Sequence, residues 1–537
     1  MASPDLIFAH GDIRTGDPNQ PVAQALAIAS GRIVAVGETG DILNLKGPDT
    51  QVIHLESRLV LPGFIDSHIH FGPWSLGLDR LELSGAASFD DFLHLVGQAA
   101  SDKPEGAWVL GQGWNETEWP ENCQPTIADL DRVVPRNPLL LWRCDLHMAV
   151  ANSLALKIAG ITENSPDPPE GQIVRDQRGR PNGLVRESAV DLIADKVPAV
   201  SDDDLETAFK NGQKVMHQAG ITGLCDVPLM NAPDDAAQAK RTWQRLAEQG
   251  HLRLRVWSGI SGESLGKAIV SGVRTGGGGD FLRTGPVKYF ADGGMGARTA
   301  WMLEPYLDGG IGMPLIDMAV LEDNVRRADR AGLAVMIHAI GDRAVREVVG
   351  ILDRIIRSRS GTGPSVPHRI EHVQMIQPED LERLKRLNVV AIMQPPNMVI
   401  DMNLIDECLG DRGERVYAFG DIIRSGVDTV FSSDAPVCDH RPIIGIHGAV
   451  NRQRPNLTPE GGWWPSQRIS LDQAIRAYTT TPARIHGAAN ELGVLAAGKK
   501  ADMIVLNQNI FNLSPQQIAS TQIDLTMVNG DIVFRRH

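Results

Sequence analysis

Eight short apolar runs punctuate the middle of this chain, each followed by a helical pattern. They are LPGFID (61–66), ITGLCDV (221–227), LRLRVWS (252–258), PVKYFAD (286–292), LAVMIHA (333–339), HRIEHV (368–373), VVAIMQ (389–394) and DTVFSSD (428–434). Between them LEDNVRRADRAG (321–332), DRAVREVVGILDRIIRSR (342–359) and QPEDLERLKRLN (377–388) read as helices, the first stopping at a Gly and the third at an Asn. Eight such units predict an α/β chain built on a (β/α)8 TIM-like barrel. An open doubly wound sheet is the competing architecture, and it calls for a Gly-rich phosphate loop after an early strand. RTGGGGDF (274–281) lacks the spacing and the Lys of such a loop and reads as a flexible turn.

The two ends differ from this middle. QALAIASGRIVAVGE reads as two strands joined at Ser-Gly, and IDLTMVNGDIVFRRH as two strands around an Asn-Gly turn. The pattern predicts that residues 1–60 and 488–537 pair into one small sheet domain, with residues 61–487 forming the barrel. Separate terminal sheets are the alternative. Roughly 150 residues separate the first two barrel strands, far more than an ordinary crossover. Within this insertion, 74–200, SFDDFLHLVGQAA (88–100) looks helical and residues 166–189 look hairpin-like. Its position puts it over the C-terminal mouth of a barrel, where a lid or substrate-shaping role is natural; a stabilising excursion is the plainer account.

With 537 residues the chain exceeds one small core. Its net charge of −14 argues against a nucleic-acid partner. Five scattered cysteines form no disulfide framework, the first residues resemble no secretory signal, and no run is apolar enough for a membrane span. A cytoplasmic protein acting on a small molecule is the expectation.

Chemistry-bearing side chains recur at the ends of the predicted strands. His68 and His70 follow the first, Lys288 lies within the fourth, His338 ends the fifth, His372 sits at the sixth, and Asp434 ends the eighth. In a barrel these ends converge on one mouth, and zinc prefers such a set of imidazoles and carboxylates. Residues i and i+2 of an extended segment share a face, so His68 and His70 can reach one ion together. Each residue alone has a plainer reading: a loop pair of histidines, a hydrogen-bonded core His338, Asp434 as a helix cap, Lys288 paired with Asp292. Asp66 shares the face of His68 and either orients a ligand or caps the strand. Glu371, adjacent to His372, is expected to point away from the mouth.

Motifs spanning nearly the whole chain carry a resemblance. PGFIDSHIH, RCDLHMAVANSLAL (143–156), GPVKYFADGGMGARTA (285–300), VMIHAIGDRAV (335–345), HRIEHVQ (368–374), SSDAPV (432–437) and LGVLAAGKKADMIVLN (492–507) occur in an order that resembles the metal-dependent amidohydrolase superfamily. The likeness is to its YtcJ-like branch, which includes N-substituted formamide deformylases. The resemblance implies a (β/α)8 barrel with a composite β-sandwich from both termini, and zinc held by His68, His70, His338, His372 and Asp434. It also implies a carboxylated Lys288 bridging two ions; a single ion with an unmodified lysine is the alternative. Relatives often form homodimers. Many carry DGS where this chain has Asp292-Gly293-Gly294, which predicts a looser loop there.

The chemistry expected is hydrolysis of an amide or N-substituted formamide by metal-activated water, with Asp434 moving the proton. Ester, lactone or cyclic-amide hydrolysis, deamination, and a metal-free binding or regulatory relative are the alternatives. His147 and Arg186 are candidate oxyanion or substrate contacts. Trp114, Trp301 and Met398 are candidate apolar walls of the pocket.

Overall fold

A computed structural model of the protein describes residues 3–116, 119–143, 148–168 and 171–536. Eight parallel strands form its central sheet: β1 (Phe64–Ile69), β2 (Ile221–Asp226), β3 (Arg255–Ser261), β4 (Leu282–Phe290), β5 (Val335–Ala339), β6 (Arg369–His372), β7 (Val390–Met393) and β8 (Thr429–Phe431), hydrogen-bonded in sequence order. Strands β1, β2 and β3 are buried along their whole length. That is why they read as near-continuous apolar runs rather than alternating ones. Helices alternate with the strands, including α1 (Asp202–Gln218), α2 (Pro233–Glu248), α3 (Leu265–Val270), α4 (Met318–Arg330), α5 (Asp342–Arg357), α6 (Pro378–Leu387), α7 (Pro395–Leu409) and α8 (Pro442–Asn451). In α5 the buried set Val345, Val348, Val349, Leu352 and Ile355 repeats at three to four residues, an apolar stripe that packs inward. Asn388 ends α6 in the left-handed conformation.

Several strand limits differ from the sequence expectation: β3 and β4 run 255–261 and 282–290 rather than 252–258 and 286–292, and two further differences fall at the seam. The run at 61–66 is split: Leu59–Pro62 belongs to another sheet, and β1 starts after Gly63. A side chain at Gly63 would lie 2.3 Å from Thr222 Oγ1, so the close approach of two chains requires glycine here. At the other end β8 stops at Phe431, and Asp434 takes φ +60. The barrel therefore closes through a loop. Asp434 N–H donates to the His68 carbonyl (2.8 Å), and His70 N–H donates to the Ala435 carbonyl (2.9 Å).

Strands from both ends of the chain meet in a six-stranded sheet that runs Asp531–Arg535, Ile523–Val528, Met503–Leu506, Leu59–Pro62, Asp12–Arg14 and Val22–Ala23. A four-stranded sheet from residues 6–54 shares a core with it, in which Phe8, Leu26 and Ile28 pack with Val60, Met503, Val505 and Met527. Ser30-Gly31 and Asn529-Gly530 make the hairpin turns, all four with positive φ.

The chain divides into two compact units, Met1–Ser75 with Leu205–His537, and Leu76–Asp204. The second has a six-stranded mixed sheet and its own core. Its helix Phe89–Ser101 starts where the Ser88 hydroxyl accepts the Asp91 N–H, and Gly171–Arg175 pairs with Pro181–Glu187 as a hairpin. Trp114 is a core residue of this unit. It ends the strand Val109–Trp114, is wholly buried among Phe92, Trp119 and Leu141, and donates its indole N–H to the Leu141 carbonyl (3.0 Å). Arg186 is exposed on the hairpin and donates to Gln172 Oε1 (3.1 Å). His147 lies outside the described residues. No described helix is long and apolar enough to cross a membrane.

Candidate metal centre

The barrel seam gathers the first three ligand candidates. His68 Nε2 and His70 Nε2 lie 3.4 and 3.3 Å from Asp434 Oδ1, close enough for the three side chains to hold one ion. The rings of His372 and His338 continue the cluster. His68 and His372 have centroids 5.1 Å apart, and His372 and His338 4.5 Å. Lys288, 2% exposed, completes the set, and all six residues line one cavity of about 290 Å³.

Each imidazole has one nitrogen engaged by the protein, which leaves the other for a ligand. His70 Nδ1 faces the Val227 carbonyl (2.8 Å), His372 Nδ1 the Gln394 amide oxygen (2.9 Å), and His338 Nε2 the Gly293 carbonyl (3.3 Å). His68 Nδ1 bonds the Glu371 carboxylate, and its Nε2 is buried without a partner. Burial, helped by Lys288, pushes His68 down to about 3, so its ring is neutral. Burial would raise Glu371, but Arg369, with Nε 2.7 Å from Oε1, and His68 hold it down at about 2. A charged carboxylate beneath a neutral ring places the proton on Nδ1 and the lone pair on Nε2.

Glu371 is the residue the strand pattern misplaced. Regular alternation would turn it away from the mouth that His372 faces. However, His372 and Val373 have φ of +73° and +43°, so extended geometry ends at His372 and both side chains serve the interior. Asp66 settles into a different role. Its Oδ1 accepts the N–H groups of His68 (3.2 Å) and Ser433 (3.1 Å), tying β1 to the loop after β8. Burial pushes its carboxyl up to about 7, against those hydrogen bonds.

Lys288 does not pair with Asp292. Asp292 instead accepts three backbone N–H groups, from Trp301 (2.8 Å), Ile340 (3.0 Å) and Gly341 (2.8 Å). The Lys288 amine has no hydrogen-bond partner and lies 4.5 Å from the Phe290 ring centroid. Burial lowers it to about 8, with Glu371 and Asp434 opposing. The loop after β4 is tied by Thr299, whose Oγ1 accepts the Gly294 N–H (3.1 Å), so the missing serine hydroxyl does not leave it unanchored.

Two expected walls are elsewhere. Met398 is wholly buried, its methyl against Gly448 of α8. Trp301 is half-buried with the Arg343 guanidinium 5.2 Å from its ring. Neither is among the described residues lining the cavity, whose apolar surface comes from Phe290, Met295, Ile340, Ile400 and Val437.

The family model described as "Amidohydrolase family" matches residues 51–534. The chain belongs to the amidohydrolase family. Membership makes it a metal-dependent hydrolase acting on carbon–nitrogen bonds. It is 31% identical to Protein LONG AFTER FAR-RED 3 of Arabidopsis thaliana, over 99% of this chain and 91% of that one. It is also 31% identical to the putative amidohydrolase YtcJ of Bacillus subtilis, over 96% of each. The N-substituted formamide deformylase of Arthrobacter pascens is 26% identical, over 99% and 98%. Among solved structures, an uncharacterized metal-dependent hydrolase from Pyrococcus horikoshii superposes with a TM-score of 0.77 at 25% identity, covering 95% of this chain and 99% of that one. This amidohydrolase-family barrel thus has relatives of the YtcJ branch along nearly its whole length.

Proposed function

We propose that the protein hydrolyses the C–N bond of an amide or N-substituted formamide at two zinc ions bridged by a carboxylated Lys288. The observation that carries this reading is the Lys288 amine, buried without a partner among four histidines and Asp434. An unpaired buried lysine is costly. A neutral lysine amine that adds to carbon dioxide and loses one proton becomes a carbamate, an anion that two cations on either side would stabilise. Burial favours the neutral form of this amine, the form that reacts.

The residues fit divalent cations. His68 Nε2 is an orphaned buried donor, and the imidazole and carboxylate set matches zinc's preference. In this reading His68, His70 and Asp434 would hold one ion and His338 and His372 the other, with Lys288 serving both. Bound ions supply Lewis-acid polarisation of the scissile carbonyl and acidify water. Asp434 then accepts the proton of the attacking water and passes it to the departing nitrogen, which leaves poorly as an anion. Several interactions hold Asp434 below the usual carboxylate range against its burial: the His70 hydrogen bond and the nearness of His68 and His372. It is therefore ionised, the form in which a carboxylate can take up a proton. Asn397 Nδ2 donates to its second oxygen (3.4 Å) and keeps the carboxylate oriented.

The name of the Arthrobacter pascens relative favours an N-substituted formamide over esters or lactones. Deamination gains no base from Glu371, which is 0% exposed and engaged by both His68 and Arg369. A cytoplasmic setting fits the free thiols of Cys123, Cys225, Cys408 and Cys438.

The test is metal analysis with a substrate screen. Zinc-loaded protein should hold two ions and release amine from N-formyl compounds, and Lys288→Ala should hold one. Two ions retained in Lys288→Ala would reject the bridge. No turnover of any N-formyl or N-acyl amine by fully loaded protein would reject the activity.

A further inference from the structure

Beside the ligand cluster, the cavity has a wall rich in hydrogen-bond acceptors. Asn397 and Asp401 sit one turn apart on α7, at i and i+4, and with Gln374 they line the same cavity as the histidines. The Tyr417 hydroxyl donates to Asp401 Oδ2 (2.6 Å) and accepts from the Gln374 side-chain amide. This fixes the Gln374 orientation: with the amide reversed, tyrosine would donate to glutamine and Asp401 would lose the hydrogen bonds of both Tyr417 and Gln374. Gln374 Oε1 and Asn397 Oδ1 are consequently left buried without partners. Reversing Asn397 would set its oxygen against Asp434, so its orientation is fixed as well. Asp401 makes no ion pair with any described Lys or Arg. Burial pushes its carboxyl up, and the hydrogen bonds from Tyr417 and Gln374 only partly oppose this.

Acceptors that lack donors call for a ligand that brings them. Ile400 and Val437, each 58% exposed, flank this wall with apolar surface. Four residues of helix separate Asp401 from Asn397, the neighbour of Asp434, a rise of about 6 Å. We propose that Asp401 is a specificity-determining residue that binds a protonated amino group of the substrate, carried on a short alkyl chain a few carbons from the scissile nitrogen. This rests on the amide-hydrolase reading above and names its substrate class: N-acylated, and specifically N-formylated, short diamines.

The probes are N-formyl-1,3-diaminopropane and N-butylformamide, which differ by an ammonium in place of a methyl. The zinc-loaded protein should favour the cationic compound by about tenfold or more in kcat/KM, the scale of one hydrogen-bonded charge pair. Asp401→Asn should collapse that ratio toward unity, and Tyr417→Phe, which keeps the carboxylate, should reduce it less. Calorimetric binding of butylammonium against butanol supplies a readout independent of turnover, with the ammonium preferred by the unsubstituted protein and not by Asp401→Asn. A ratio near unity in the unsubstituted protein overturns the proposal, as does an Asp401→Asn variant that loses melting temperature and slows both compounds alike. If neither compound is hydrolysed yet the ammonium preference in binding stands and depends on Asp401, the amide reading fails and the cation site survives.

Discussion

His68 and His372 face the same cavity from adjoining positions, yet the protein holds them in different ways. Behind His68 stands a carboxylate, Glu371, itself paired with the buried Arg369. Behind His372 stands a neutral amide, Gln394, which passes its own N–H to the Ser432 hydroxyl. An anionic acceptor draws the Nδ1 proton more strongly than an amide oxygen and leaves Nε2 the better electron donor. The β1 side is therefore the more electron-rich at His68, whereas on the β5–β6 side His372 rests on a neutral amide and His338 on a backbone carbonyl at 3.3 Å, with the Asp292 carboxylate farther off at 3.7 Å.

The largest effect that would break this contrast comes from His68→Ala. It should lower metal content and cut kcat/KM by on the order of a thousandfold or more. Full metal content by elemental analysis would show that the wrong side was taken as the tight one. Next in size is the paired comparison of Glu371→Gln and Gln394→Leu, read by competition with a chromogenic chelator. The first should weaken metal affinity by up to about a hundredfold and the second by about tenfold; equal losses would erase the distinction. A third test uses pH. Glu371 is held at about 2 against an ordinary 4.5, so its contribution to stability is complete above the higher value and drains away as pH falls toward the lower. Urea midpoints of chelator-treated protein should therefore fall between about pH 4.5 and about pH 2, and less steeply in Glu371→Gln. An unchanged slope would mean that Glu371 is not the group responsible. The smallest effect on turnover belongs to Trp114→Phe, which should cost about 1–2 kcal/mol of stability while kcat/KM stays within about twofold. A rise in KM well beyond that would restore Trp114 to the pocket.

The barrel was legible because largely buried strands leave apolar runs of strand length, and each of the eight runs overlaps an observed strand. The six convergent side chains were legible because barrel strands end at one mouth. What escaped the sequence depended on backbone details. Glu371 was misplaced because the left-handed φ at His372 interrupts an alternation that residue identities alone extend through Val373. Gln374 and Asp401 escaped because they come from a loop and a helix, where no strand period points at the mouth. Trp114 and Met398 were assigned to the pocket on residue type, and large apolar side chains are more often core, as both are here. The insertion was legible only as helical and hairpin-like pieces because its strands are short and its turns frequent, while its sheet depends on pairings distant in sequence.

The loop closure of the barrel has a thermodynamic consequence. The amides of Asp434 and His70 close the seam, and the side chains of those same residues, with His68, are the ones placed to clasp an ion. An ion bound there clips together segments from opposite ends of the barrel sequence, and mass action adds its binding free energy to the closed form, about 4 kcal/mol at a thousand times the dissociation constant. Chelation should accordingly accelerate hydrogen exchange first at the amides of His70, Ser433 and Asp434, before the ladders of β2 to β7 loosen.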